Sequence, residues 1–340
     1  MIIMKNLALL IALIISTPLF AKYNYFVKEY EYNIKQNQAY EDEVYLISTR
    51  NITNISEIDK FRRGFYNRPV STPQFYKAFK YNDTINYVEV NGVGDFDKLT
   101  TDHRDILLYA PGHGKTFNDN VLRARDLSSL YNLTVIIFDW PTNNVFLSKT
   151  DRNSRLVHDT YLDAIHQLKQ HIQSNRPDKK VNLLFHSMGN EVFKSVSRDE
   201  FFGQIAEGFI DNIVLNAPAV HYRGHVKWLN EINVNSDIYI IMNDNDKILQ
   251  AASLLRLGRL LGATPKSALI SEKANYVDLT LLVEKEHSYF YGSTQPEKKH
   301  PEIFKFYNTL FHGIEPSIAR YHVFKKEKKL YYGDVSEVVQ

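Results

Sequence analysis

Lys180-Val181-Asn182-Leu183-Leu184-Phe185-His186-Ser187-Met188-Gly189-Asn190-Glu191-Val192-Phe193 decides how this chain is read. An apolar run of strand length ends in a serine flanked by a histidine and, two residues on, a glycine. A segment of helical character follows at once. This is the outline of a strand-to-helix elbow, in which a serine hydroxyl projects above the edge of a sheet. The same turn puts the N–H of the next residue, Met188, at a helix N-terminus, where it can hold a developing oxyanion. The plain alternative is a buried strand ending in an ordinary Ser-Gly turn.

The segments on either side repeat the pattern. Apolar runs predict strands at 44–48, 85–90, 106–110, 133–138, 210–215, 238–242 and 276–283. Helical spacing predicts helices over 120–130, 151–173, 247–261 and 302–311. Residues 52–82 carry no clean period, and Pro69 and Pro73 mark them as loop. Continuous apolar strands alternating with helices imply an α/β fold: a mostly parallel central sheet with helices on both faces. In such sheets the site lies beyond the strand C-terminal ends. Ser187, Asp246 and His287 each fall just past a predicted strand, so the topology gathers them on one rim.

A serine hydroxyl needs a base within reach, and the base needs an acid to orient it. Ser187, Asp246 and His287 follow the order nucleophile, acid, base. Asp244 is the rival acid, and a loop aspartate capping the helix near Lys247 is the structural alternative for either. Among later histidines, His300 precedes Pro301 at a helix start and His312 stands at a helix end beside Gly313; His322 follows. His186 adjoins the serine, but neighbouring side chains on an elbow diverge, so its best role is support. The loop Gly112-His113-Gly114-Lys115 follows an early central strand, and the N–H of Lys115 is the candidate second oxyanion donor beside that of Met188.

Two other chemistries are weak. Gly114-Lys115-Thr116 echoes the end of a phosphate-binding loop, but the required earlier glycine is replaced by Tyr109. His221 and His225 stand four apart, yet no glutamate completes a zinc-protease pattern and Gly224 argues for a loop. No cofactor or metal is required.

The 340 residues are enough for one large α/β domain. With 41 Lys and Arg against 39 Asp and Glu, there is no basic footprint for nucleic acid. The chain has no cysteine, which excludes disulfides and thiolate chemistry. Lys5 precedes the apolar stretch from Leu7 to Ile15, and Leu19-Phe20-Ala21 offers a cleavage site before Lys22. That is signal-peptide anatomy; an uncleaved membrane anchor is the alternative. The expected organisation is a signal peptide at 1–21, an N-terminal lead-in at 22–42, a catalytic domain at 43–315 and a tail at 316–340.

Taken together, these elements resemble the alpha/beta-hydrolase superfamily, and within it a bacterial family of alpha/beta hydrolases of unknown function. The shared elements are Ser48-Thr49-Arg50-Asn51, His113-Gly114-Lys115 with Phe117 and Asn118, Trp140-Pro141-Thr142, and His186 to Asn190. Ala217-Pro218, Asn245-Asp246-Lys247-Ile248-Leu249 and His287 to Phe290 complete the set. The resemblance covers roughly residues 43–312. It implies a serine hydrolase with Ser187, Asp246 and His287 as its triad, acting on an ester, thioester or amide, most simply as an esterase or lipase. The partners expected are a small-molecule or lipid-like acyl substrate and a membrane surface. Acyl transfer and a non-catalytic binding protein on the same fold are the competing classes. One departure stands out: Phe185 occupies a place usually held by Gly or Ala, where an elbow leaves little room.

Overall fold

A computed structural model describes residues 43–50, 68–81, 84–142, 146–263, 271–291 and 300–316. The expected signal peptide, the lead-in and the tail from 317 lie outside these residues. No helix among the described residues is long and apolar enough to cross a membrane.

The strands are β1 (Val44–Ser48), β2 (Gln74–Tyr81), β3 (Thr84–Val90), β4 (Ile106–Ala110), β5 (Thr134–Asp139), β6 (Val181–His186), β7 (Asn212–Asn216), β8 (Asp237–Met242) and β9 (Asn275–Asp278). They form one sheet in the order β3-β2-β1-β5-β4-β6-β7-β8-β9. The pairs from β1–β5 through to β8–β9 are parallel, and β2 and β3 add an antiparallel edge. Every residue of β1, β4, β5, β6 and β7 is buried, as parallel strands covered on both faces require. The chain passes from β4 to β5 on one side and then to β6 on the other. That reversal opens a crevice at the C-terminal ends of β4 and β6.

The helices are α1 (Lys98–Thr101), α2 (Phe117–Tyr131), α3 (Leu147–Leu156), α4 (His158–Asn175), α5 (Gly189–Val196), α6 (Glu200–Ala206), α7 (His225–Asn230), α8 (Lys247–Leu255) and α9 (Pro301–Phe311). Helix α2 starts on a capping box: Thr116 Oγ1 accepts from Asp119 N–H, and the Asp119 carboxylate accepts from Thr116 N–H. Helix α9 ends against the sheet, where Asn182 Nδ2 donates to Phe311 O at 2.8 Å and Asn212 Nδ2 to Leu310 O at 2.9 Å. These two core asparagines satisfy carbonyls that a helix end leaves orphaned.

Four local expectations change. Strand β2 lies in the stretch read as loop. Its Phe75, Tyr76, Ala78 and Phe79 are all buried, so it shows no strand alternation. The helix expected over 151–173 is two helices meeting at Val157. There the apolar face slips by one position: Leu156 is 46% exposed and Val157 is buried. The helix from Lys247 stops at Leu255, because Leu257 takes a left-handed φ of 53° and Gly258 N–H closes onto Ser253 O. The last strand stops at Asp278, whose Oδ1 accepts from Thr280 N–H and turns the chain.

Candidate active site

At the end of β6 the backbone turns at Ser187, which adopts φ 53°. A serine rarely enters the left-handed region, and strain of this kind concentrates at functional turns. The turn is held from several sides. Ser187 N–H donates to Asn216 O at 3.0 Å, and Ala219 N–H donates to Ser187 O at 3.1 Å. Asn190, buried in the first turn of α5, donates its Nδ2 toward Phe185 O, Ser187 O and Asn216 O at 3.1, 3.0 and 3.3 Å.

Two glycines let the neighbouring loop approach. A Cβ on Gly189 would stand 2.3 Å from Ala110 O, and one on Gly112 would stand 2.7 Å from Ser187 Cβ. Phe185 does not crowd the turn. Its ring enters the core, 5.0 Å from Phe193 and 5.8 Å from Tyr161 between centroids. The room the elbow needs is supplied by Gly112 and Gly189.

Across the rim, His287 Nδ1 lies 2.6 Å from Asp246 Oδ2. The Asp246 carboxylate is fully buried at the start of α8, and its Oδ1 accepts from Ile248 N–H and Leu249 N–H, both at 3.0 Å. Helix capping and histidine orientation were alternative roles for this residue; its two oxygens do both. Because a carboxylate only accepts, His287 carries its proton on Nδ1, and Nε2 is left as the basic nitrogen. Asp244 is exposed and its backbone, not its carboxylate, is tied down, with N–H on Thr280 Oγ1 and O accepting from Gln250.

Asn216 joins the two halves. Its O accepts from Ser187 N–H, and its Nδ2 reaches His287 O at 3.4 Å and His186 Nδ1 at 3.1 Å. Its Oδ1 accepts from the Tyr307 hydroxyl. With Nδ1 accepting, His186 carries its proton on Nε2, 3.3 Å from Ser288 Oγ. The His186 ring lies 4.6 Å from that of His287. Burial, then the charge on His287, drives the His186 pKa well below its ordinary value, so it stays neutral. Among the described residues the Ser187 hydroxyl makes no hydrogen bond, so its link to His287 Nε2 is open. Such contacts are often long before substrate binds.

The loop expected to supply an oxyanion donor differs from expectation in one respect. Lys115 N–H donates to Thr142 Oγ1 at 3.1 Å, so it is already engaged within the protein. Gly114 N–H is likewise held by Thr142 O at 2.8 Å, and Gly114 takes a φ of 79°. The contact with Ser187 is made earlier in the loop, at Gly112. Among the described residues, Met188 N–H and His113 N–H donate to no protein acceptor. His113 Nδ1 is 2.8 Å from Thr150 Oγ1, and burial lowers its pKa to about 4.

A buried ion pair stands behind this loop. Arg50 Nε lies 2.9 Å from both oxygens of Asp139, Ser48 Oγ and Asn120 Nδ2 each donate to that carboxylate at 2.7 Å, and Arg50 Nη2 donates to Lys115 O at 2.9 Å. The ends of β1 and β5 thereby brace the turn after β4.

Two of the later histidines have structural partners. His300 faces Glu302 at 3.8 Å, and His312 Nδ1 lies 2.6 Å from Asp105 Oδ2. His322 lies outside the described residues. His225 opens a short helix, with Gly224 as its cap at φ 83°. Its ring nitrogens meet Tyr222 O at 2.7 Å and the Tyr276 hydroxyl at 3.0 Å, which leaves none for a metal shared with His221. Among the described residues no group of three or more His, Cys, Asp or Glu is placed to hold a metal ion.

No curated relative matches the chain. Among solved structures it is similar to one described as Thermogutta terrifontis esterase 2 phosphoramylated by tabun. The identity is 10% and the TM-score 0.37, over 75% of this chain and 96% of that one. The family model described as alpha/beta hydrolase of unknown function (DUF900) matches residues 94–295, the stretch that holds the elbow, the acid loop and the histidine loop. The chain belongs to this family of alpha/beta hydrolases.

Proposed function

We propose that the protein is a serine hydrolase that cleaves carboxylic esters through an acyl-enzyme. The observation that carries this reading is the 2.6 Å contact between His287 and a buried Asp246 on the rim where Ser187 turns through a strained elbow. His287 Nε2 takes the Ser187 proton as Oγ attacks the acyl carbonyl. Asp246 fixes the ring and stabilises the imidazolium that forms. The carbonyl oxygen, now negative, sits against the N–H of Met188 at the start of α5 and the N–H of His113, which replaces Lys115 as second donor. Collapse expels the alcohol with the proton from His287. Water then repeats the sequence on the acyl-enzyme and frees the acid.

Thioesters and amides call on the same steps, and an acceptor other than water would make the enzyme an acyltransferase. The leader at 1–21 fits an exported enzyme acting outside the cytoplasm. A serine-directed fluorophosphonate should label the wild-type protein and not Ser187→Ala, and the wild type should hydrolyse short-chain aryl esters. Labelling that survives in Ser187→Ala would remove Ser187 as the nucleophile.

A further inference from the structure

We propose that the site takes an ester bearing an anionic oxygen group, held by the Arg123 guanidinium with the Lys115 ammonium beside it. This rests on the serine hydrolase reading above and names its substrate class.

Arg123 lies on α2 and turns toward the loop that carries His287. Its guanidinium carbon is 3.6 Å from the Tyr291 ring centroid and 5.7 Å from that of Phe290. The Phe290 ring is 5.2 Å from His186, which is 4.6 Å from His287. Two buried rings, those of Phe290 and His186, therefore stand between this cation and the candidate base. Lys115 sits on the loop that touches Ser187 through Gly112. The positive charges of both residues act on His186, and that of Arg123 acts on Lys115.

Neither cation is held by a carboxylate among the described residues. Arg123 Nη1 is buried with no hydrogen-bond partner. Among the described residues no ion pair involves Arg123 or Lys115. The acids on the same helix are otherwise engaged: Asp119 accepts from Thr116 N–H, and Asp126 accepts from the Tyr291 hydroxyl. Asp119 still acts on Lys115 through its charge, yet burial outweighs it and lowers the Lys115 pKa to about 8. Two like charges, partly removed from water and with no carboxylate in ion-pair contact among the described residues, form an unfavourable arrangement. The Tyr291 face offsets part of it for Arg123. A carboxylate or phosphate on the substrate offsets the rest, and the planar guanidinium fork suits either.

Two pairs of esters test this with the full chain. In one the acyl part carries the charge: 4-nitrophenyl hemisuccinate against 4-nitrophenyl butyrate. In the other the alcohol does: 4-carboxyphenyl butyrate against phenyl butyrate. In at least one pair the anionic member should have the higher kcat/KM, by about tenfold or more at low ionic strength. That ratio should shrink in about 0.5 M salt. Arg123→Gln should cut the ratio about tenfold, and Arg123→Lys, which keeps the charge without the fork, should retain part of it. Lys115→Gln gives a second reading of the same ratio, should Arg123→Gln fail to fold. A neutral preference in both pairs overturns the proposal. So does an unchanged ratio in folded Arg123→Gln or, if that variant is unfolded, in Lys115→Gln. If none of the four esters is cleaved and no probe labels Ser187, the hydrolase reading itself falls, and this one with it.

Discussion

Asp246 and His287 are joined by a 2.6 Å contact from Oδ2 to Nδ1, while the other oxygen of Asp246 caps helix α8. The two functions can be separated. Asp246→Asn retains an oxygen for the cap, but its amide nitrogen donates toward Nδ1 and forces the wrong histidine tautomer. Its kcat on aryl esters should fall by about a thousandfold or more, as expected when an orienting acid becomes an amide. Asp246→Ala should lose activity and, in addition, about 1 kcal/mol of stability with the cap. Asp244→Ala should leave fluorophosphonate labelling intact. An Asn variant as active as wild type would mean that the contact does not orient the base.

Gly112 is the second point where geometry is tight. An alanine there would put Cβ 2.7 Å from Ser187 Cβ, 3.2 Å from His186 O and 3.3 Å from Ser187 Oγ. All three atoms belong to the elbow, which the Asn190 and Asn216 hydrogen bonds hold in place. Gly112→Ala should therefore displace the oxyanion loop and lower kcat by about a hundredfold, the cost of misplacing reacting groups by an ångström. Gly94→Ala, with nothing within 4 Å of the added Cβ, is the matched control.

Both sites bear on how much could be read from the chain alone. The sheet was legible because its central strands are unbroken apolar runs, and Asp246 because it follows one, β8; His287 stands nine residues past the end of β9, so its place beside Asp246 depends on the intervening turns. What escaped were polar residues whose partners lie far along the sequence. Asn216 serves Ser187, His186 and His287 at once, but nothing beside Asn216 announces it. Asp139 receives Ser48, Arg50 and Asn120 from two other elements. The motif around Lys115 points to its N–H as a donor; the partner of that N–H is Thr142, which a local reading does not connect to it. Asn190 belongs to the elbow motif, but its bracing of the turn reaches three carbonyls, one of them on Asn216, 26 residues away, which the local sequence does not connect to it.

His312 gives a prediction on pH. The hydrogen bond that His312 Nδ1 donates to the Asp105 carboxylate raises its pKa in the folded protein, with the Tyr131 carbonyl adding to the effect and burial opposing it. A group whose folded pKa is raised stabilises the protein fully below its unfolded pKa, near 6.5 for histidine. That stabilisation is lost as pH rises through the higher folded value. The gap in urea midpoint between wild type and His312→Gln should therefore be widest near pH 5.5 and narrow steadily toward pH 9. A gap that widened with pH would mean that His312 is held neutral.

Phe185 tests whether its bulk belongs to the core or to the chemistry. Its ring is buried between Phe193 and Tyr161, on the side of the sheet covered by α4 and α5. Ser187 is two residues away, but its orientation is set by the left-handed turn and by Asn190, not by this ring. Phe185→Ala should open a cavity and cost about 3–5 kcal/mol in a urea titration. Because α5 and Asn190 keep the elbow in place, kcat per folded molecule should change by less than about threefold, well short of what a misplaced catalytic group costs. Active-site titration with the fluorophosphonate counts those molecules and separates the two effects. A large fall in kcat at full folding would instead make Phe185 part of what shapes the elbow.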